Sequence, residues 1–156
     1  MTARRDHYRD PDAPEPNSLV PGGSALVVVD DAAVLMQRRS DSGNWSFPGG
    51  IMEIGETLAQ CVVRETKEET GIDIEITGIV GTYTNPDHVF AYDNGEVRQE
   101  FSICLLGRPL DGTIRVSDES TEVAWFDTGE IDALPMVASI RKRIDDWRSG
   151  RAPIVR

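Results

Sequence analysis

The chain has 156 residues, 39% hydrophobic and 28% charged, the balance of a single globular domain with a real core. A formal charge of −11 argues against a nucleic-acid surface, because a phosphate backbone needs clustered Lys and Arg. It leaves room for a small anionic ligand, since bound divalent cations reverse the local field. No apolar run reaches the length of a membrane span, and Cys61 and Cys104 make no disulfide framework, so a reducing cytoplasm is the expected setting.

In chain order, residues 1–20 read as a polar leader, expected to be partly disordered and lacking the apolar core of a secretory signal. The folded domain is expected over 21–150, with a short tail at 151–156. Apolar runs at 25–29 and 34–36 around Asp30-Asp31 predict strand, turn and strand. Residues 41–44 form a polar loop, and "WSFPGG" is a short strand stopped by Pro48 and two glycines. A helix is predicted over 57–70, opened by a capping box of Thr57 and Gln60 and stopped by Gly71. "IDIEITGIVGTYT" is strand-like, and "NPDHVFAYDNGE" reads as a long loop. "VRQEFSICLLGRP" is strand-like, Asp111-Gly112 reads as a hairpin turn, and "STEVAWFD" is a further strand. "PMVASIRKRIDDW" closes the chain as a helix, with Val137, Ile140 and Ile144 on one face and Trp147 beside them. Mixed strands with two helices predict an α/β layered domain.

The first helix carries the chemistry. At about 100° per residue, Leu58, Ala59, Val62, Val63 and Thr66 fill one side, the face expected to pack on a sheet. Glu65, Glu68 and Glu69 share a separate arc, with the small Cys61 inside it. Like charges one turn apart repel, so something positive is expected between them. Three converging carboxylates suit a hard divalent cation, Mg²⁺ or Mn²⁺; a solvated acidic face is the alternative. Gly50 adds a carbonyl with no side chain in the way. Glu56 lies at the helix start, within reach of Arg64 if the loop folds back, which would make Arg64 structural.

Residues 50–72 resemble the Nudix hydrolase signature: Gly50, Glu56, Arg64-Glu65, Glu68-Glu69 and Gly71 match its fixed identities, and Ile72 its final aliphatic position. Thr66 stands where the signature prefers an aliphatic residue. The resemblance implies an α/β/α sandwich with a mixed β-sheet between helices, and a metal-dependent pyrophosphohydrolase that cleaves a nucleoside diphosphate linked to another group. It implies Glu65, Glu68, Glu69 and the Gly50 carbonyl as ligands of Mg²⁺ or Mn²⁺, with Glu56, Arg64 and Gly71 structural. The general base is expected to be Glu119, with Glu100 or a signature glutamate as alternatives. Pro86, 14 residues past Ile72, sits near where relatives that cleave ADP-ribose carry a proline. ADP-ribose or another nucleoside-diphosphate sugar is therefore the expected substrate, and a normal or oxidised nucleoside triphosphate the alternative. A non-catalytic nucleotide-sugar sensor is a reading of another class, which the retained carboxylates disfavour. Many relatives are dimers, so a homodimer is expected.

Around this centre, Arg38 and Arg39 end a strand and face opposite ways, so one of them is expected to meet phosphate. Phe90 and Tyr92 are candidate platforms for a base, whereas Trp45 and Tyr83 read as core, along with at least one of Trp125 and Phe126. His88 reads as a surface histidine, with a role in acid–base chemistry as the alternative. Cys61 and Cys104 read as small buried residues.

Overall fold

The computed structural model describes residues 4–156. Its strands are β1 (Arg4–Tyr8), β2 (Ser18–Leu19), β3 (Gly22–Val29), β4 (Ala33–Arg39), β5 (Trp45–Ser46), β6 (Gly49–Ile51), β7 (Ile72–Tyr83), β8 (His88–Tyr92), β9 (Val97–Gln99), β10 (Ser102–Gly112), β11 (Ser120–Asp127) and β12 (Ile154–Val155). Helix α1 spans Leu58–Thr70 and α2 spans Ala138–Arg148. None of the described helices is long and apolar enough to cross a membrane.

The β3–β4 turn forms as its sequence predicts. Ala32 N–H donates to the Val29 carbonyl at 2.9 Å, and the two central residues, Asp30 and Asp31, have φ of 50° and 53°. Aspartate tolerates this left-handed region, which a tight hairpin turn requires. The capping box on α1 is complete: Gln60 N–H donates to Thr57 Oγ1 at 3.2 Å, and Thr57 N–H donates to Gln60 Oε1 at 2.8 Å. Gly71 ends the helix at φ 80°, a conformation that favours glycine.

The main sheet runs β11-β4-β3-β10-β7-β12, with β5 beside β4 and β6 beside β3. The β3–β10 and β7–β12 pairs are parallel and the others antiparallel, so the sheet is mixed. Side chains alternate across it. Ala25, Val27 and Leu35 face one way and pack with Val62 of α1. Leu26, Val28, Val34 and Met36 face the other and pack with Ile140 and Ile144 of α2. Both faces are buried, which explains the unbroken apolar runs and gives the α/β/α sandwich. Phe126 packs in the α2 layer and Trp125 in the α1 layer.

Four features depart from the sequence reading. The leader, apart from residues 1–3, which lie outside the described residues, contributes β1 and β2 to a second sheet, β1-β8-β9-β2. The stretch read as a long loop, residues 85–96, holds β8 and the turn that leads into β9: His88–Tyr92 is rich in aromatic and β-branched residues, and Tyr92 N–H donates to Glu96 O at 2.9 Å. Asp111-Gly112 is not a hairpin turn. Gly112 pairs with Ile72 at the end of β10, and the chain then crosses to place β11 against β4. Finally, Ala59 is exposed, and the buried side of α1 is Cys61, Val62, Thr66, Glu69 and Thr70. The helix is rotated toward its acidic edge because Glu69 finds polar partners inside.

Candidate active site

Strand β6 sets the backbone of the site. Gly50 pairs with Gly23 and Gly49 with Ser24, which fixes the double glycine under α1. A Cβ on Gly50 would lie 2.5 Å from the Glu65 carboxyl carbon, so only glycine allows this approach. Cys61 Sγ lies 4.0 Å from the Gly50 carbonyl oxygen, and its small side chain leaves that edge open.

Glu69 is buried. Its Oε2 accepts hydrogen bonds from Gly49 N–H and from Gln37 Nε2, each at 2.8 Å. Gln37 Oε1 in turn accepts from Ser120 Oγ at 2.6 Å. Burial pushes the Glu69 carboxyl up to about 8, and the nearby Glu65 and Glu119 charges push the same way. Glu65 is raised too, by burial first and by Glu68 and Glu119 among its neighbours. Both carboxyls are thus raised, and Glu69 meets only neutral donors among the described residues. The atoms they offer are all oxygen, which fits a hard divalent cation.

Arg64 is the positive group between the acids. Its guanidinium donates to Glu56 Oε1 at 2.8 Å and Oε2 at 3.0 Å, to Glu65 Oε1 at 2.9 Å and to Glu68 Oε2 at 3.3 Å. The Arg64 hydrogen bonds and the Glu53 N–H hold Glu56 down to about 2. Glu68 is largely exposed. The three signature carboxylates therefore do not converge as expected: among the described residues no three acidic, cysteine or histidine side chains gather closely enough to hold a metal as they stand. Arg64 draws Glu68 to the outside of the helix. Thr66, the departure from the signature, is buried and donates to the Val62 carbonyl at 2.7 Å, satisfying its hydroxyl within the helix.

Glu119 lies in the exposed turn before β11, anchored where its carbonyl accepts from Ser40 N–H at 2.9 Å and Ser40 Oγ at 3.0 Å. Its charge adds to the upward push on both Glu65 and Glu69. Glu100 is placed differently, buried against Arg143 Nη2 at 3.1 Å and His88 Nδ1 at 3.3 Å. His88 is therefore not the surface histidine the sequence reading expected, because β8 turns it inward beneath Tyr8.

A cleft of about 470 Å³ opens beside Gly49 and Gly50, between the main sheet, the small sheet and α2. Arg39 lines it and forks onto Asp41 at 2.7 and 2.9 Å. Arg38 does not: it is exposed and donates to the Gly43 carbonyl at 3.0 Å. Phe90 and Tyr92 line the cleft, covered by Arg4 and Arg98 at 4.9 and 4.6 Å from their ring centres. Trp45 and Tyr83 are buried, as core residues should be, and Cys61 and Cys104 are buried free thiols.

Sequence reasoning missed Gln37 and Ser120. The available signal was a single amide on the buried side of the otherwise apolar run "AVLMQ". It also missed Arg4, whose stretch was not read as a strand, and Arg98, whose stretch was read as strand-like but whose pairing with β8 was not foreseen.

This fold and acidic helix define a class, and comparison with known proteins agrees: the NUDIX domain family model matches residues 20–147, so the chain belongs to the Nudix family. It is a hydrolase of phosphoric anhydride bonds. A MutT-like protein of Streptomyces ambofaciens is 34% identical over 134 residues, spanning 85% of this chain and 79% of that one. An ADP-ribose pyrophosphatase of Methanocaldococcus jannaschii is 30% identical over 131 residues, spanning 80% and 72%. The solved NUDIX hydrolase of Nitrosomonas europaea superposes with a TM-score of 0.68 at 22% identity, over 86% of this chain and 91% of that one.

Proposed function

We propose that the chain hydrolyses the diphosphate of ADP-ribose or another nucleoside-diphosphate sugar, using Mg²⁺ or Mn²⁺ held by Glu65, Glu69 and the Gly50 carbonyl. The observation that carries this reading is the placing of Glu65 against Gly50 and of Glu69 against Gly49, both with raised carboxyl pKa. A cation there would offset the burial and repulsion that raise them. When bound, the cation neutralises the diphosphate and eases deprotonation of water.

The chain's own residues do the rest. Gln37 and the Gly49 N–H fix the Glu69 carboxylate. Arg64 ties Glu56 and Glu65 to the same pole. Arg39 meets phosphate oxygens, and Phe90 and Tyr92 face the base. Glu119 takes the proton as water attacks phosphorus; the bridging P–O bond breaks, and ADP-ribose gives AMP and ribose 5-phosphate. Such chemistry depends on positioning and electrostatics more than on covalent catalysis. The substrate choice is supported by the likeness to the archaeal ADP-ribose pyrophosphatase.

The test is product analysis on a panel of ADP-ribose, other nucleotide sugars, dinucleoside polyphosphates, and normal and oxidised triphosphates, with each metal. Preferred cleavage of ADP-ribose or a nucleotide sugar supports the reading. Preference for a triphosphate would replace the substrate, and tight binding without turnover would replace catalysis with sensing.

A further inference from the structure

The cleft has a polar floor that the proposed hydrolysis does not use. Ser24 of β3, Ser46 of β5, Glu100 just before β10 and Arg143 of α2 all line it, and each is more than nine-tenths buried. The two serine hydroxyls and Arg143 Nε have no hydrogen-bond partner among the described residues. The Cys104 thiol beside Ser24 is only a weak one. Buried polar groups are nearly always paired, so three unpaired ones lining one cleft mark a surface that a ligand completes.

Glu100 adds direction to this floor. Arg143 and His88 both approach its Oε1, and the only other donor to the carboxyl among the described residues is the Asn85 backbone N–H. The carboxyl is held below its usual range despite burial, by His88 and Arg143. It is therefore ionised at neutral pH and can only accept hydrogen bonds. Phe90 and Tyr92 also line this cleft, and their rings suit a flat heterocycle.

We propose that this floor reads the base of the nucleotide and selects one that carries an exocyclic amino group, with Glu100 accepting from that group and Ser24, Ser46 and Arg143 meeting the remaining edge. The inference rests on the nucleotide-hydrolase reading above. A carbonyl in place of the amino group would set oxygen against carboxylate, an arrangement that both loses a bond and repels.

Nucleoside monophosphates test this without hydrolysis, because they contain no anhydride. Calorimetry of the full chain with AMP against IMP, and CMP against UMP, compares bases in which one amino group becomes a carbonyl. The amino-bearing member of at least one pair should bind about tenfold tighter or more, since a site built to hydrogen-bond a group rejects its absence strongly. Glu100→Gln should erase that difference, and Ser46→Ala should weaken the tighter ligand. The wild-type comparison stands even if Glu100→Gln fails to fold. Equal binding within both pairs would overturn the proposal, as would no binding of any of the four by a chain that cleaves nucleotide sugars. A preference for AMP over IMP in a chain that hydrolyses nothing would support the floor and overturn the hydrolase reading instead.

Discussion

Gln37 on β4 donates a 2.8 Å hydrogen bond to Glu69 on α1, and Ser120 on β11 fixes the orientation of that amide by donating to its oxygen at 2.6 Å. Three elements distant in sequence thus converge on one carboxylate. Replacing Gln37 with Leu removes the donor and leaves Ser120 and Glu69 each short of a partner. A loss of about 1–3 kcal/mol in stability is expected, with a larger fractional loss in metal-dependent turnover. Denaturant titration and kinetics at saturating metal would check both, and Ser120→Ala should show a milder version.

Gly50 is the second test of how closely α1 meets β6. An added Cβ meets the Glu65 carboxyl, which is the far end of a flexible side chain and can move. Gly50→Ala should therefore fold with a near-normal melting temperature. It should raise the metal concentration needed for half-maximal turnover by about tenfold, since a displaced ligand costs on the order of 1.4 kcal/mol or more. Gly71→Ala should do the reverse, because its φ of 80° strains any other residue and its Cβ would collide with the Thr113 carbonyl. It should lower the melting temperature while leaving metal dependence alone.

The Glu56–Arg64 pair predicts a pH signature. Glu56 is depressed to about 2, mainly by its hydrogen bonds with Arg64, from the 4.5 of an unperturbed carboxyl. A group depressed in the folded state binds fewer protons there than when unfolded, so its stabilisation is complete above about 4.5 and disappears as pH falls through about 2. The gap in melting temperature between wild type and Glu56→Gln should be constant at neutral pH and narrow across that acid range. A gap that widens on acidification would contradict the assignment.

Glu119 and Glu100 separate on kinetics. As general base, Glu119→Gln should lower kcat by about 10²–10⁴ with little change in KM. Glu100→Gln should act mainly on KM, because its carboxylate lies at the cleft floor between His88 and Arg143. A large kcat effect from Glu100 and none from Glu119 would exchange their roles.

Much of this was legible in the chain itself. The capping box, the Gly71 stop, the Asp30-Asp31 turn and the alternating cores are local or periodic, and local rules found them. The Glu56–Arg64 pair followed from charge spacing on a helix and its preceding loop. The small sheet did not, because β1 pairs with β8 across some eighty residues of sequence, and β1 and β2 carry little apolar signal. Asp111-Gly112 misled because turn residues also end strands, and the next strand pairs elsewhere. The inward rotation of α1 was hidden because Glu69 is buried by an amide on another strand, and no helical wheel contains that partner.

The most direct test of the central claim is ADP-ribose hydrolysis by wild type and Glu69→Gln, each with Mg²⁺ or Mn²⁺ and again with chelator, reading AMP and ribose 5-phosphate. The account predicts release of both products only with metal and wild-type chain, and loss of at least about 10²-fold in the variant. Undiminished cleavage by Glu69→Gln, or cleavage that persists in chelator, would contradict it.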